Sequence, residues 1–294
     1  MLKFDLHTHS NHSDGTEAPA QVMRQAQKAG LDIIALTDHD VTSGWEEAAA
    51  MVQETQVGLV RGMEISCAWQ GITVHLLSYL HNPENPDLAQ AHARTLSSRQ
   101  GRAQEMVARL SEDYPLSWED VLAQAPQANG SLAADAPLAA SGPIGRPHIA
   151  DALVEKGCFP DRSACFDTVL HPRSRYYVKH WSLDPVEAVE LVRAAGGVPV
   201  MAHPRARMRQ KLLPTRVIIE MAKHGLAGLE VFHRDNSAAD RDFLIELASA
   251  YQLLITGSSD YHGTGKPNQL GEHLTKPSVL EKIAQQGELE VLLP

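Results

Sequence analysis

Seven short apolar runs cross the 294 residues, and each delivers a histidine or a carboxylate at or near its end. The runs read as strands at Leu2–Leu6, Asp32–Leu36, Val57–Gly62, Thr73–Ser78, Val198–Ala202, Gly228–Phe232 and Leu253–Thr256. In that order they present His7 and His9; Asp38, His39 and Asp40 ("LTDHD"); Glu64 ("GMEIS"); His75 ("TVHLLSY"); His203 ("VMAHP"); His233 ("EVFH"); and Asp260 with His262 ("SSDYH"). In a barrel of parallel strands, chemistry collects at the C-terminal strand ends. One polar residue at a strand end means little. A full set constrains fold and site together.

The segments between the strands support this arrangement. In "TEAPAQVMRQAQKAG", Val22, Ala26 and Ala29 share a helix face, Thr16 stands where a cap is expected, and Gly30 stops the helix. In "DPVEAVELVRAAGG", Asp184 caps, Pro185 takes the first helical position, Glu187 completes a capping box and Gly196 ends the helix. Alternating strands and helices predict an α/β chain with a parallel sheet or barrel. The alternation stops between Tyr79 and about Val178. Residues 86–125 look helical and polar, 125–143 are rich in Ala, Gly, Ser and Pro, and "GRPHIADALVEKG" opens another helix. The expected organisation is a barrel from residues 1–84 and 179–294, with a mainly helical insertion at 85–178 between the fourth and fifth strands.

At 43% hydrophobic the chain can bury a sizeable core, and it has no run of 18 apolar residues. No signal-like N-terminal region is visible, and Cys67, Cys158 and Cys165 lack zinc-type spacing. A cytoplasmic protein without a membrane partner or an obligate protein partner is expected. The net charge of −10 argues against broad nucleic-acid binding by bulk electrostatics. There is no GxSxG elbow, and "GTGKP" (263–267) lacks P-loop spacing.

Alternate residues on a strand point to the same side, so His7 and His9 can face one ion, and Asp260 and His262 can do likewise. Imidazole plus carboxylate suits Zn, Mn or Fe, and a carboxylate such as Glu64 can bridge two ions. Paired ions clamp the attacking and leaving oxygens of a phosphoryl displacement. His12, His81, His92, His171, His180, His224 and His273 fit plain surface positions.

Together "DLHTHSNHSDG", "ALTDHD", "GMEIS", "VHLLSY", "MAHP" and "SSDYH" resemble the motifs of the polymerase-and-histidinol-phosphatase (PHP) family of metal-dependent phosphoesterases, in the family's order. The resemblance implies a distorted (β/α)7 barrel with three divalent ions (Mn, Fe or Zn). It assigns His7, His9, Glu64 and Asp260 to the first ion. The second takes Asp14, His39 and His262. The third takes His75 and His203, with Glu64 bridging. Asp5, Asp38 and His233 would orient ligands, and a water at the ions, or a nearby acid such as Asp40 or His233, would protonate the leaving oxygen after attack by hydroxide generated there.

"GRPHIA" (145–150), placed in such an insertion, resembles the subgroup that removes the 3′-phosphate of nucleoside 3′,5′-bisphosphates such as adenosine 3′,5′-bisphosphate; some members also trim short RNAs from the 5′ end. In that reading Arg146 and His148 bind substrate phosphate. The stretch "PRARMRQK" adds Arg205 and Arg207 as candidates at the rim of the site. The expected partner is a nucleotide or short oligoribonucleotide substrate. A histidinol-phosphate or other small phosphomonoester phosphatase, an amidohydrolase, and a non-enzymatic nucleotide sensor stand as alternatives.

Overall fold

Short runs such as "IIAL" and "VPVM" are buried along their whole length, as strands covered by helices on one face and core on the other require. The computed structural model describes residues 2–124, 144–179, 181–208 and 211–294. Its seven strands form one sheet in chain order: β1 (Phe4–Thr8), β2 (Ile33–Leu36), β3 (Gly58–Trp69), β4 (Ile72–Tyr79), β5 (Val198–Met201), β6 (Gly228–Phe232) and β7 (Leu254–Gly257). The chain just beyond β7 returns to β1: His9 N donates to Tyr261 O at 2.8 Å, and Tyr261 N to His7 O at 3.4 Å. The result is a nearly closed seven-stranded barrel with flanking helices.

Not every strand is parallel. β3 and β4 form an antiparallel hairpin, and β4 is also antiparallel to β5. The cause is local: Gln70 (φ 47°) and Gly71 (φ 80°) make a two-residue turn with both residues left-handed, which matches the twist of the strands it joins. This corrects the all-parallel expectation at one strand. His75 reaches the site end of the barrel from the first half of β4, opposite Ser66, because β4 runs the other way.

Among the described residues, the helices that flank the barrel are α1 (Pro19–Lys28), α2 (Trp45–Ala50), α3 (Val52–Thr55), α8 (Pro185–Ala194), α9 (Thr215–Lys223), α10 (Ala238–Ala250) and α11 (Pro277–Ala284). Asp184 caps α8 by accepting from Val186 N at 2.9 Å. Thr16 does not cap α1, whose cap position is Ala18 with no side-chain bond. Its hydroxyl accepts from Thr264 N, in the loop after β7, at 2.9 Å instead, since the cap position lies two residues further on. Leu6, Leu77 and Val200 are wholly enclosed in one core cluster of the barrel, and Ile34 and Leu59 are wholly enclosed between the sheet and α1–α3.

The chain divides into two compact units, Met1–His92 with Ser182–Pro294, and Ala93–Trp181. The second unit holds most of α4 (Pro86–Leu110), then α5 (Trp118–Ala123), α6 (Arg146–Glu155) and α7 (Arg162–Asp167), around a core that includes Met106, Leu110, Ile149, Leu153 and Leu170. The Ala/Gly/Ser/Pro-rich stretch 125–143, His180 and Arg209 lie outside the described residues. His81, expected at the surface, is fully buried: its ring shares a hydrogen bond with Ser78 Oγ at 2.8 Å and meets Trp45 edge-on. All three cysteines are free thiols. No described helix is long and apolar enough to cross a membrane.

Candidate metal centre

Residues 7–15 enter the site in a defined order. His7 and His9 project from one face of β1, while Thr8 between them turns away and donates to Ala35 O at 2.7 Å. The loop beyond is gathered by one carboxylate. Asp38 accepts from Ser10 N (2.8 Å), Ser10 Oγ (2.6 Å) and Ser13 Oγ (2.6 Å). Gly15 must be glycine here, since a Cβ would lie 2.7 Å from His9 O. The folded-back loop sets Asp14 against His262 Nε2 (3.1 Å), His9 Nδ1 (3.6 Å) and His39 Nε2 (3.9 Å).

Glu64 is the hub. Its Oε2 faces His9 Nε2 (3.0 Å), His7 Nε2 (3.1 Å) and His39 Nε2 (3.4 Å). Its Oε1 faces His75 Nδ1 (2.9 Å) and His203 Nε2 (3.1 Å). Asp260 Oδ1 closes the first side, 3.5 Å from His7 Nε2 and 3.4 Å from His9 Nε2. Three groups of donors converge closely enough for a cation: His7, His9, Glu64 and Asp260; His9, Asp14, His39 and His262; and His39, Glu64 and His75. All nine candidate ligands are thus brought to one end of the barrel, with His203 joining through Glu64.

The donor chemistry fits divalent ions. Glu230 can only accept, so His7 Nδ1 donates to its Oε1 (3.0 Å), which leaves His7 Nε2 as the ring nitrogen turned to the site. His7 Nε2 and His9 Nε2 lie 3.0 Å apart. His39 Nδ1 and His203 Nδ1 are buried without a hydrogen-bond partner, an arrangement costly in a protein interior.

The charges of the cluster are interlocked. Burial raises the pKa of Asp14, Glu64 and Asp260, but the surrounding imidazoles, joined at Asp260 by Lys266, outweigh it and hold all three well below the usual carboxylate range. Burial lowers His9, yet hydrogen bonds with Asp260 and Glu64 carry it up to about 9. At His39 and His203 burial prevails and brings them down to about 3 and about 4.

Glu230 joins the site although it ends no strand and belongs to none of the family motifs above. It sits inside β6, wholly buried, and also accepts from His203 N at 2.8 Å. The signal available was a lone carboxylate in an otherwise apolar strand, "GLEVF". Three site residues at strand ends adopt left-handed backbone, Asp40 (φ 56°), His203 (φ 27°) and Asp260 (φ 55°), a strain that surrounding bonds must hold. Asp40 accepts from Ser66 N at 2.7 Å, and His233 Nε2 lies 3.7 Å from Asp260 Oδ2. Asp5 accepts from Ser259 N and Gly271 N, tying the chain after β7 to β1.

The remaining candidates sit elsewhere. Arg205 and Arg207 have a different partner from the phosphate expected of them. Both guanidiniums bind Asp240, with Arg205 Nε at 2.9 Å and Arg207 Nη2 at 2.7 Å, and Arg205 also lies over Phe243. In the second unit, Arg146 opens α6, donates to Leu170 O at 3.2 Å and lies over Phe166 and Tyr177. His148 Nδ1 accepts from Gly145 N at 3.1 Å. Burial lowers Arg102 to about 9, and the neighbouring charges of Arg99 and Arg146 add to the effect, so three arginines share this region.

A barrel whose strand ends deliver clustered imidazoles and carboxylates defines a metal-dependent hydrolase. The PHP domain model matches residues 5–129. The chain is 30% identical over 302 residues to the 3′,5′-nucleoside bisphosphate phosphatase of Chromobacterium violaceum, covering 100% of this chain and 99% of the relative. It is 29% identical to a 5′-3′ exoribonuclease of Haemophilus influenzae (92% and 94% covered) and 33% identical to a phosphoribosyl 1,2-cyclic phosphate 1,2-diphosphodiesterase of Eggerthella lenta (88% and 94% covered). A crystal structure from Bifidobacterium adolescentis, assigned as a metal-dependent phosphoesterase, superposes with a TM-score of 0.89 at 39% identity, covering 97% of this chain and 96% of that one. The chain belongs to the PHP family, and it is a metal-dependent phosphoester hydrolase.

Proposed function

We propose that the protein removes the 3′-phosphate of nucleoside 3′,5′-bisphosphates and trims short 5′-phosphorylated RNAs from the 5′ end. The observation that carries this is the Glu64 hub: one buried carboxylate turned to five imidazoles, with Asp14 and Asp260 beside it. The relatives supply the substrate class, one named for bisphosphate nucleotides and one for RNA.

In this reading three divalent ions (Mn, Fe or Zn) are held by the sets assigned above, with Glu64 shared. When bound, they would polarise the phosphoester and activate water for attack on phosphorus. The protein's own groups position the donors. Glu230 fixes the tautomer of His7 and the backbone of His203, and Asp38 holds the Asp14 loop. His233 or Asp40 delivers the proton to the leaving oxygen. Arg146 and His148 are assigned to the second phosphate, for which a guanidinium fork is suited. The free thiols fit a reducing compartment such as the cytoplasm.

A second reading rests on the Eggerthella lenta relative, whose named substrate is a cyclic phosphodiester. The test is hydrolysis by the Mn-loaded protein of adenosine 3′,5′-bisphosphate, a short 5′-phosphorylated RNA, a phosphoribosyl 1,2-cyclic phosphate and histidinol phosphate, with products identified. Fast release of the 3′-phosphate, with stepwise mononucleotide release from RNA, is the expected result. Preference for the cyclic ester or for histidinol phosphate would reject it.

A further inference from the structure

The loop after β7, "GTGKP", has no part in the reading above, yet it is fastened to the metal centre. Gly263 (φ 66°) packs so closely on the β1–α1 loop that a Cβ would fall 2.2 Å from Thr16 Oγ1. Thr264 N donates to the same Thr16 hydroxyl at 2.9 Å, and Gly265 N donates to His262 O at 3.2 Å. The tethered loop delivers Lys266, whose Nζ lies 3.1 Å from Asp260 Oδ2 and 3.4 Å from Oδ1. The side chain is 27% exposed, so it stands at the mouth of the cluster rather than inside it.

This placement sets two cations against one carboxylate. Asp260 belongs to the donor group with His7, His9 and Glu64. A divalent ion taken up there would repel the ammonium across a short, poorly screened distance. Lysine's flexible stem and three donors let it leave Asp260 without moving the loop, and the nearest new anion in the working enzyme is the phosphoester.

We propose that Lys266 binds the substrate phosphoryl group, resting on Asp260 until divalent ions claim that carboxylate. The proposal rests on the phosphoester reading and adds a substrate contact to it. Bidentate geometry is not required of such a contact; a mobile point charge suffices.

The test compares Lys266→Met and Lys266→Arg with the unaltered protein in three measurements: Mn affinity by calorimetric titration, affinity of the Mn-loaded protein for inorganic phosphate, and KM and kcat on adenosine 3′,5′-bisphosphate. Lys266→Met should weaken phosphate binding and raise KM by about tenfold, the scale of one lost charged contact. Its Mn affinity should be unchanged or tighter, because no ammonium competes for Asp260. Lys266→Arg should recover most of the phosphate affinity. Unchanged phosphate affinity and KM in Lys266→Met would overturn the proposal. So would loss of Mn binding in step with the rise in KM, since that assigns Lys266 to supporting Asp260 alone. If the unaltered protein does not hydrolyse the bisphosphate, the substrate reading fails, while phosphate affinity still decides the role of Lys266.

Discussion

The barrel unit contains two dense groups of charged side chains, and they are built on opposite terms. Around Asp240 the charges answer one another: Arg205, Arg207 and the Ser237 hydroxyl all direct donors to one carboxylate, 2.7–2.9 Å away at their closest. Around Glu64 they do not. Carboxylates and imidazoles converge there in the barrel interior, and His39 and His203 each retain a buried nitrogen without a hydrogen-bond partner. The first group is complete as a protein structure. The second is complete only with added positive charge. What distinguishes a site from a structural ion cluster is therefore the remaining unsatisfied bonding capacity, and not the number of charges.

The largest expected effect follows from removing the hub. Glu64→Ala takes away both oxygens on which the five imidazoles converge. Activity should fall by at least about a thousandfold, or about 4 kcal/mol of transition-state stabilisation. Metal content after dialysis should fall with it. The same contrast is readable without turnover: Mn should raise the Tm of the unaltered protein by selective binding to the folded state, and should do so weakly or not at all for Glu64→Ala. Equal metal content in the two proteins would remove Glu64 from its bridging place.

Much of this site could be read from the chain because strand geometry is local. His7 and His9 share a face through two-residue periodicity, and His203 and Asp260 follow their strands at short range. Partners distant in sequence were harder to see. His75 is visible as a candidate, but the reversal of β4 that brings it to the site depends on the left-handed turn at Gln70–Gly71. Glu230 reads as an ordinary residue within a strand, and its role appears only when β6 pairs with β5 and the barrel brings β1 within reach. "GTGKP" lacks P-loop spacing, and sequence pattern does not reveal the approach of Lys266 to Asp260. Arg205 and Arg207 resembled a loop awaiting an anion because Asp240, their partner, lies more than 30 residues on.

Glu230 sharpens the comparison at the next level of effect. It touches no substrate in this reading and acts by orienting His7 and His203. Glu230→Ala should weaken Mn binding by about 10–100-fold, the usual range when such an orienting partner is lost. Glu230→Gln, which retains one accepting oxygen, should fall between that variant and the unaltered protein. With saturating Mn, much of the activity of Glu230→Gln should return; failure to recover would mean that Glu230 does more than position ligands.

At the completed cluster the pattern should invert, with stability affected and metal binding left alone. Asp240→Ala leaves the half-buried Arg205 without its carboxylate and strips Ser237 of a partner at the start of α10. A loss of about 2 kcal/mol is expected, read as a lower denaturant midpoint, with Mn affinity unchanged. Arg207→Ala should leave KM within about twofold, since that guanidinium is engaged by Asp240 rather than by substrate. A larger rise in KM would return Arg207 to the substrate site.

The smallest effect is a dependence on pH at the completed cluster. Hydrogen bonding by Arg207, opposed by burial and reinforced by Ser237 and Arg205, holds the Asp240 carboxyl well below its ordinary value. A carboxyl depressed in the folded state contributes stability above its unfolded pKa of about 3.9, and that contribution is lost as pH falls through the folded value. Asp240→Asn should therefore be less stable than the unaltered protein at pH 7, and the gap should narrow steadily below about pH 4. Denaturant unfolding of both metal-free proteins from pH 6 to pH 3 measures that gap. A gap that stays constant over the range would show that Asp240 acts through packing and capping, and its charge would then be as replaceable as that of Glu64 is not.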